Sequence, residues 1–315
     1  MGPLEAGKAS RGRVWLAFAS VYVIWGTTYL AIAYVIDTMP SLLAMGVRYL
    51  LAGSALWMLA PGSWRTRPTP TDWKWGFILG ALLLLAGNGI VSIVEGKMPS
   101  GVTALLIGVV PLWMTLIEWA TGGGRPTALS VSGILLGFAG VGLLAGEGAG
   151  WVGGRVDPLY VGGLLFGCLC WAFGSVLSRR GGIKMPILRS VALQMMCGSL
   201  LLFAVGLLRG EASAVHLDQI SMTSLVALAY LVTFGSIVAF SAYSWLLSVR
   251  PAVMVSTYAF VNPVVAVFLG ALVRSEPLTQ RTLLATVLIV GAVALVLYAK
   301  ARPAAAKPLS PAPAK

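Results

Sequence analysis

The sequence predicts an all-α membrane protein: ten transmembrane helices laid out as two inverted five-helix repeats, with both termini cytoplasmic. Three observations predict it. The chain is 58% hydrophobic and only 10% charged, whereas a soluble domain needs roughly 25% charged residues to cover its surface. Its apolar residues fall into uncharged runs of bilayer length. Landmark residues recur at a nearly constant offset in the two halves.

A spanning helix takes about 20 apolar residues at 1.5 Å rise each. Uncharged runs of about that length cover 14–36, 75–94, 98–117, 126–146, 158–178, 190–208, 252–273 and 282–299. A longer run covers 219–249, of which two-thirds need be membrane, and 40–60 is interrupted only by Arg48. The first run is too long for the h-region of a signal peptide, and no small-x-small site follows it before Asp37, so it reads as a retained span. The connections are too short to be domains. The Pro/Ala/Lys-rich tail from 301 to 315 cannot bury a core and is expected to be disordered. The expected units are therefore a first repeat at 14–147, a second at 158–299, and cytoplasmic tails at 1–13 and 300–315.

Basic residues set the orientation. With the N-terminus inside, sixteen fall on the cytoplasmic side: Lys8, Arg11, Arg13, Arg65, Arg67, Lys74, Arg125, Arg179, Arg180, Lys184, Arg189, Arg250, Lys300, Arg302, Lys307 and Lys315. Five fall outside: Lys97, Arg155, Arg209, Arg274 and Arg281. That bias is the positive-inside signal. It also accounts for the net charge of +12, because each such residue gains about 1 kcal/mol near anionic headgroups. Nucleic acid is thereby set aside as a partner, and the lipid bilayer takes its place.

The repeat is legible in particular residues. Trp25 and Trp171, and Met39-Pro40 and Met185-Pro186, share one offset. Pro99 and Pro251, and Pro111 and Pro263, share another only slightly larger, and Gly140 and Gly291 fall between. Five spans per half is an odd number, so the second half runs opposite to the first. Inverted repeats around a midplane site are the architecture of alternating-access transporters.

Four stretches carry a resemblance: "VIWGTTYLA" from Val23, "MGVRYLLA" from Met45, "GNGIVSIVEGKMPSGVTALLIGVVPLWMTL" from Gly87 and "YAFVNPVVAVFLGALVRSEPLT" from Tyr258. Across about 14–299 the chain resembles the EamA family of the drug/metabolite transporter superfamily. The resemblance implies a ten-helix bacterial inner-membrane permease. Helices one, three, four, six, eight and nine would surround a central cavity, with helices five and ten at the rim. It implies export or exchange of amino acids, related metabolites or toxic analogues.

Particular side chains then stand out. In "VIWGTTY", Gly26 lets a neighbouring helix come close, Trp25 offers a wide face and one N–H, and Thr27 and Thr28 either bond a carbonyl one turn back or face a cavity. Trp171 mirrors Trp25, although Ala172 replaces Gly26. Pro111 and Pro263 are expected mid-span, as kinks or gates, each freeing a carbonyl that protein or a wet cavity must satisfy. Asn262 adds a polar group beside Pro263. Asn88, Ser92 and Glu95 share one helix face. Glu95 is read either as an interfacial acid or as a proton-coupling carboxylate. Arg48 lies inside span two, to snorkel outward, cap a helix or pair with an acid, and the resemblance implies a mainly structural role. Gln194 mirrors Arg48. Tyr243 and Tyr258 are candidate cavity aromatics. The expected pathway is Trp25, Thr28, Asn88, Ser92, Trp171, Gln194, Tyr243, Tyr258 and Asn262. Trp15, Trp64, Trp73, Trp75 and Trp151 lie near span ends and read as an interfacial belt.

Catalytic chemistry finds no signature. The single histidine, His216, is in a loop, and no zinc, nucleophile-elbow or phosphate-loop motif is present. Cys168 and Cys170, two apart on a helix, face away from each other and make poor joint metal ligands. Neither cofactor nor metal is expected. The reading is a carrier for a small molecule, with protons as a candidate coupling ion and a homodimer permitted by 38 glycines. The rival readings are an uncoupled, channel-like facilitator and a non-transporting membrane sensor.

Overall fold

The computed structural model describes residues 10–60, 67–95, 97, 103, 106–148, 158–274 and 280–301. Trp64, Arg65, Pro99, Trp151, Arg155 and most of both tails lie outside these residues. Lipid offers backbone groups no partner, so long apolar segments satisfy themselves as helices. The helices are α1 Arg11–Ile36, α2 Ser41–Leu59, α3 Pro70–Val94, α4 Val110–Ala120, α5 Ala128–Gly148, α6 Pro158–Arg179, α7 Ile187–Leu208, α8 Met222–Val249, α9 Tyr258–Arg274 and α10 Gln280–Ala301. A one-turn helix, Ala252–Val255, precedes α9. The described residues form no β-strand. Six of the helices, α1, α2, α3, α6, α7 and α8, are long and apolar enough to cross a membrane; shorter apolar helices complete the set.

Residue chemistry sets the ends. Ser10 caps α1 by accepting from Arg13 N–H, and Thr69 and Asp72 form a reciprocal capping box on α3. Pro40 and Pro186 stand at the N-caps of α2 and α7. Pro40 offers no side-chain acceptor, so Glu211 reaches across to take the Leu42 and Leu43 N–H groups, each at 3.0 Å. Gly122, Gly181 and Gly210 take positive φ just past α4, α6 and α7, where a side chain would be strained.

The middle of α3 (Gly80–Gly89) and of α8 (Leu231–Phe240) winds as π-helix, with wider turns than the flanking α-helix. These segments are offset by the same interval as Gly140 and Gly291.

Packing is pairwise. α2 lies along α7, and α5 along α10. In the second pair, Cβ atoms at Gly133 and Gly140 would sit 3.2 Å from the carbonyls of Ala292 and Ala285, so the backbones nearly touch. α1 packs on α8 and α9, α6 on α3 and α4, and α3 on α7. Meanwhile Leu59, Leu16 and Val287 are 74%, 69% and 68% exposed. Apolar surface on that scale suits a lipid solvent.

One expected element differs. The run 98–117 was expected as a continuous span with Pro111 near its middle. Instead Leu106 and Ile107 are helical, Gly108 and Val109 form a turn, and α4 starts at Val110. Pro111 therefore sits in a first helical turn, where its missing N–H would have had no helical partner in any case. Pro263 does lie inside a helix, α9.

Candidate functional site

The described spans converge on a cavity of about 80 Å³, room for several waters. α1 contributes Trp25, Thr28, Tyr29 and Ile32; α2 contributes Arg48 and Tyr49; α3 contributes Gly87, Asn88 and Val91. Gly167, Cys168 and Trp171 come from α6, Phe240 from α8, Tyr258 and Asn262 from α9, and Ile107 and Val110 from around the α4 turn.

An aromatic cluster floors it. Trp25 and Trp171 meet edge to face with centroids 5.6 Å apart. Tyr258 and Tyr243 each stand 4.9 Å from Trp25, and Tyr243 and Phe240 lie 5.5 and 6.1 Å from Trp171. Pairs of this kind contribute about 0.5–1.5 kcal/mol beyond their area. Trp25 Nε1 donates to the Gly235 carbonyl at 3.1 Å, fixing its plane. Trp171 Nε1 is buried, with the Tyr243 and Tyr258 hydroxyls beside it though neither aligned as an acceptor.

In "VIWGTTY" the side chains divide their roles. Gly26 faces α9: a Cβ there would lie 2.6 Å from Val265 Cβ and Cγ1. Thr27 donates to the Ile24 carbonyl and bonds the Tyr230 hydroxyl at 2.5 Å. Thr28 donates to the Trp25 carbonyl at 2.8 Å while lining the cavity. One turn of α1 thus seats a helix, ties to α8 and faces the cavity.

Arg48 is 3% exposed. Its Nε donates to Ser236 Oγ at 2.8 Å and Nη1 reaches the Met45 thioether at 3.6 Å. The guanidinium stacks 4.8 Å from the Tyr49 centroid. Gly235 makes room for it, since a Cβ there would be 2.9 Å from Nη2. No acidic side chain pairs with Arg48 among the described residues; the ion pair found there is Arg179–Glu118 at 3.3 Å. An acidic partner for Arg48, one of the expected alternatives, is not found among the described residues. On α9, with its amide oriented to satisfy both acceptors, Asn262 Nδ2 donates to the carbonyls of Tyr258 at 3.0 Å and Tyr22 at 3.3 Å.

Not every residue singled out from sequence lines the cavity. Tyr243 is fully buried beneath it, bonded to Ser175 Oγ at 2.6 Å. Ser92 donates back to the Gly89 carbonyl. Gln194 is buried on α7, whose backbone packs against Gly80 of α3. Glu95 is 9% exposed with Oε2 unpartnered among the described residues, but it does not line the cavity. Pro111 and Pro263 are also absent from the lining. Conversely Tyr29, Tyr49, Cys168 and Phe240 line it without having been singled out. Tyr29 was within reach: it lies four residues after Trp25 and hence on the same face.

A profile of the EamA-like transporter family matches residues 12–146 and again 159–298. The chain belongs to the EamA-like transporter family. Among relatives of this EamA-like chain is an uncharacterised inner membrane transporter, YedA, of Escherichia coli (strain K12), 34% identical with 90% of each chain covered. Another is a probable amino-acid metabolite efflux pump of the same strain, 26% identical over 85% of this chain and 89% of that one. A solved structure described only as the crystal structure of a protein superposes with a TM-score of 0.74 at 20% identity, covering 92% of this chain and 98% of that one. That likeness bears on fold alone. Family and helices together make the chain a multi-pass membrane protein of transporter type.

Proposed function

We propose that this EamA-like protein is a secondary transporter of the bacterial inner membrane, exporting small metabolites such as amino acids by alternating access. Its ten helices form two inverted five-helix halves, with both termini in the cytoplasm. The observation that carries the reading is the half-open cavity at which mirror-related Trp25 and Trp171 touch. In inverted-repeat carriers the site lies at the interface of the two halves, and this cavity takes its walls from both.

Several facts support the two-half arrangement. The family profile matches twice, once per half. The pairs α2–α7 and α5–α10 join positions that correspond between halves, and the contact of α1 with α9 has its counterpart in that of α6 with α4. The π segments fall at corresponding places in α3 and α8. Efflux of amino acids is suggested by the name of one relative. Glu95, buried with one oxygen unpartnered among the described residues, is our candidate for proton coupling.

The test is uptake into inside-out vesicles from cells overproducing the chain, offered pooled labelled amino acids with and without a pH gradient. Accumulation above empty vesicles, lost in Trp25→Ala and Asn262→Ala, is expected. Gradient dependence that disappears in Glu95→Gln is expected if Glu95 carries the proton. No accumulation of any pool member would remove amino-acid export; accumulation untouched by Trp25→Ala would remove the cavity as its route.

A further inference from the structure

We infer that the central cavity is an anion site, in which Arg48 holds the carboxylate of a substrate whose apolar body lies against the aromatic cluster. This rests on the carrier reading and names the chemical class that the carrier takes. Three observations converge. First, Arg48 lines the cavity and is 3% exposed, and an ionised side chain is rarely left at that depth without a partner. Second, its partners are neutral and few. A guanidinium carries five N–H donors, while Ser236 Oγ and the Met45 sulfur accept one each; no carboxylate meets it among the described residues. Third, the other lining residues add no negative charge. They are aromatic, aliphatic, hydroxyl, thiol or amide side chains or glycines, with Glu95 outside the lining.

The cavity thus holds one positive charge, spare donors and several π-faces. A planar fork of N–H groups matches a carboxylate in two parallel hydrogen bonds. The ligand class that supplies the missing acceptors and fits the rings is a small organic acid with an apolar or aromatic body. An amine would meet Arg48 as a like charge. A neutral amide would leave its charge uncompensated. The carboxylate of a zwitterion would bind here, and its ammonium group would find no acid among the described lining residues to receive it.

The experiment uses the purified full chain in lipid nanodiscs, binding labelled benzoate, with unlabelled benzoate, benzamide and benzylamine as competitors. These three are close in shape and differ mainly in charge. Benzoate should compete at least tenfold better than benzamide, and benzylamine should not compete. Arg48→Gln should erase the preference and Arg48→Lys should retain part of it, each checked for an unchanged elution profile. If Arg48→Gln does not fold, the three-ligand comparison on the unaltered chain still decides. Equal competition by benzamide, or absence of saturable benzoate binding, overturns the inference, as does a folded Arg48→Gln protein with the preference intact. Benzoate counterflow in proteoliposomes separates the two readings. Benzoate that binds but is not carried removes the carrier reading and leaves the anion site. Benzamide carried as well as benzoate does the reverse.

Discussion

Replacing Gly26 by alanine tests the seat of α1 on α9. The added Cβ would lie 2.6 Å from both Cβ and Cγ1 of Val265 and 3.3 Å from Cγ2. Carbon atoms rest at about 3.5–4.0 Å, so the closest contacts are roughly 1 Å short. Cβ of a helical valine is fixed to backbone, so a rotamer change cannot move it away. The helices must separate, and overpacking of this kind costs about 1–3 kcal/mol. Each kcal/mol lowers a melting midpoint by about 2–4 °C in a sizeable domain, giving a drop of roughly 2–12 °C. The assay is thermal unfolding of purified protein in one detergent, followed by the change in tryptophan emission. Val265→Gly removes all three obstructing atoms, at about 1 kcal/mol for a helical glycine. The double variant should therefore melt higher than the sum of the two single losses predicts, with a coupling of about 1 kcal/mol or more. A Gly26→Ala protein that melts with the parent, or strict additivity in the double variant, would refute the argument.

Other outcomes follow from single contacts. Glu211→Ala should cost about 1 kcal/mol by leaving the first N–H groups of α2 without their acceptor, read as a lower midpoint and as faster hydrogen exchange at Leu42 and Leu43. Asp72→Ala removes the α3 capping box and the acceptor of the Lys184 N–H at 2.9 Å; a loss of about 1 kcal/mol is expected, and Asp72→Asn should recover part of it. Tyr243→Phe deletes the bond to Ser175 and should lower stability by about 1 kcal/mol while leaving ligand affinity nearly unchanged, since Tyr243 lies under the cavity. Glu118→Gln weakens acceptance from Arg179 and from Ala252 N–H. Because the ion pair is partly exposed its own share is below about 1 kcal/mol, so the readout is faster exchange at Ala252 rather than a large fall in midpoint.

Which features were legible in the sequence follows from their physics. Apolar runs and basic loops report the solvent of each segment, so the helices can be read directly from residue order. Trp25 and Trp171 are paired by spacing alone, and their rings touch. The residues that spacing did not place are those decided by rotation about a helix axis. Tyr243 and Phe240 lie three apart on α8 and both rings meet Trp171, yet Phe240 lines the cavity and Tyr243 does not. Tyr49 follows Arg48 and would face elsewhere on an isolated helix, yet its large ring lets both border one space. The turn before α4 was hidden because Gly108 and Val109 interrupt neither hydropathy nor charge.

The two π-helical segments have a mechanical consequence. Each substitutes bonds of five-residue reach for those of four, so most of its backbone groups stay paired within the helix. Sliding such a wide turn along its helix by one residue turns that residue through about 100°. α3 and α8 carry Asn88 and Phe240 at the ends of these wide turns. They are built like screws with slack threads: local rewinding re-aims the cavity wall while the start of α3, held by its capping box, stays where it is.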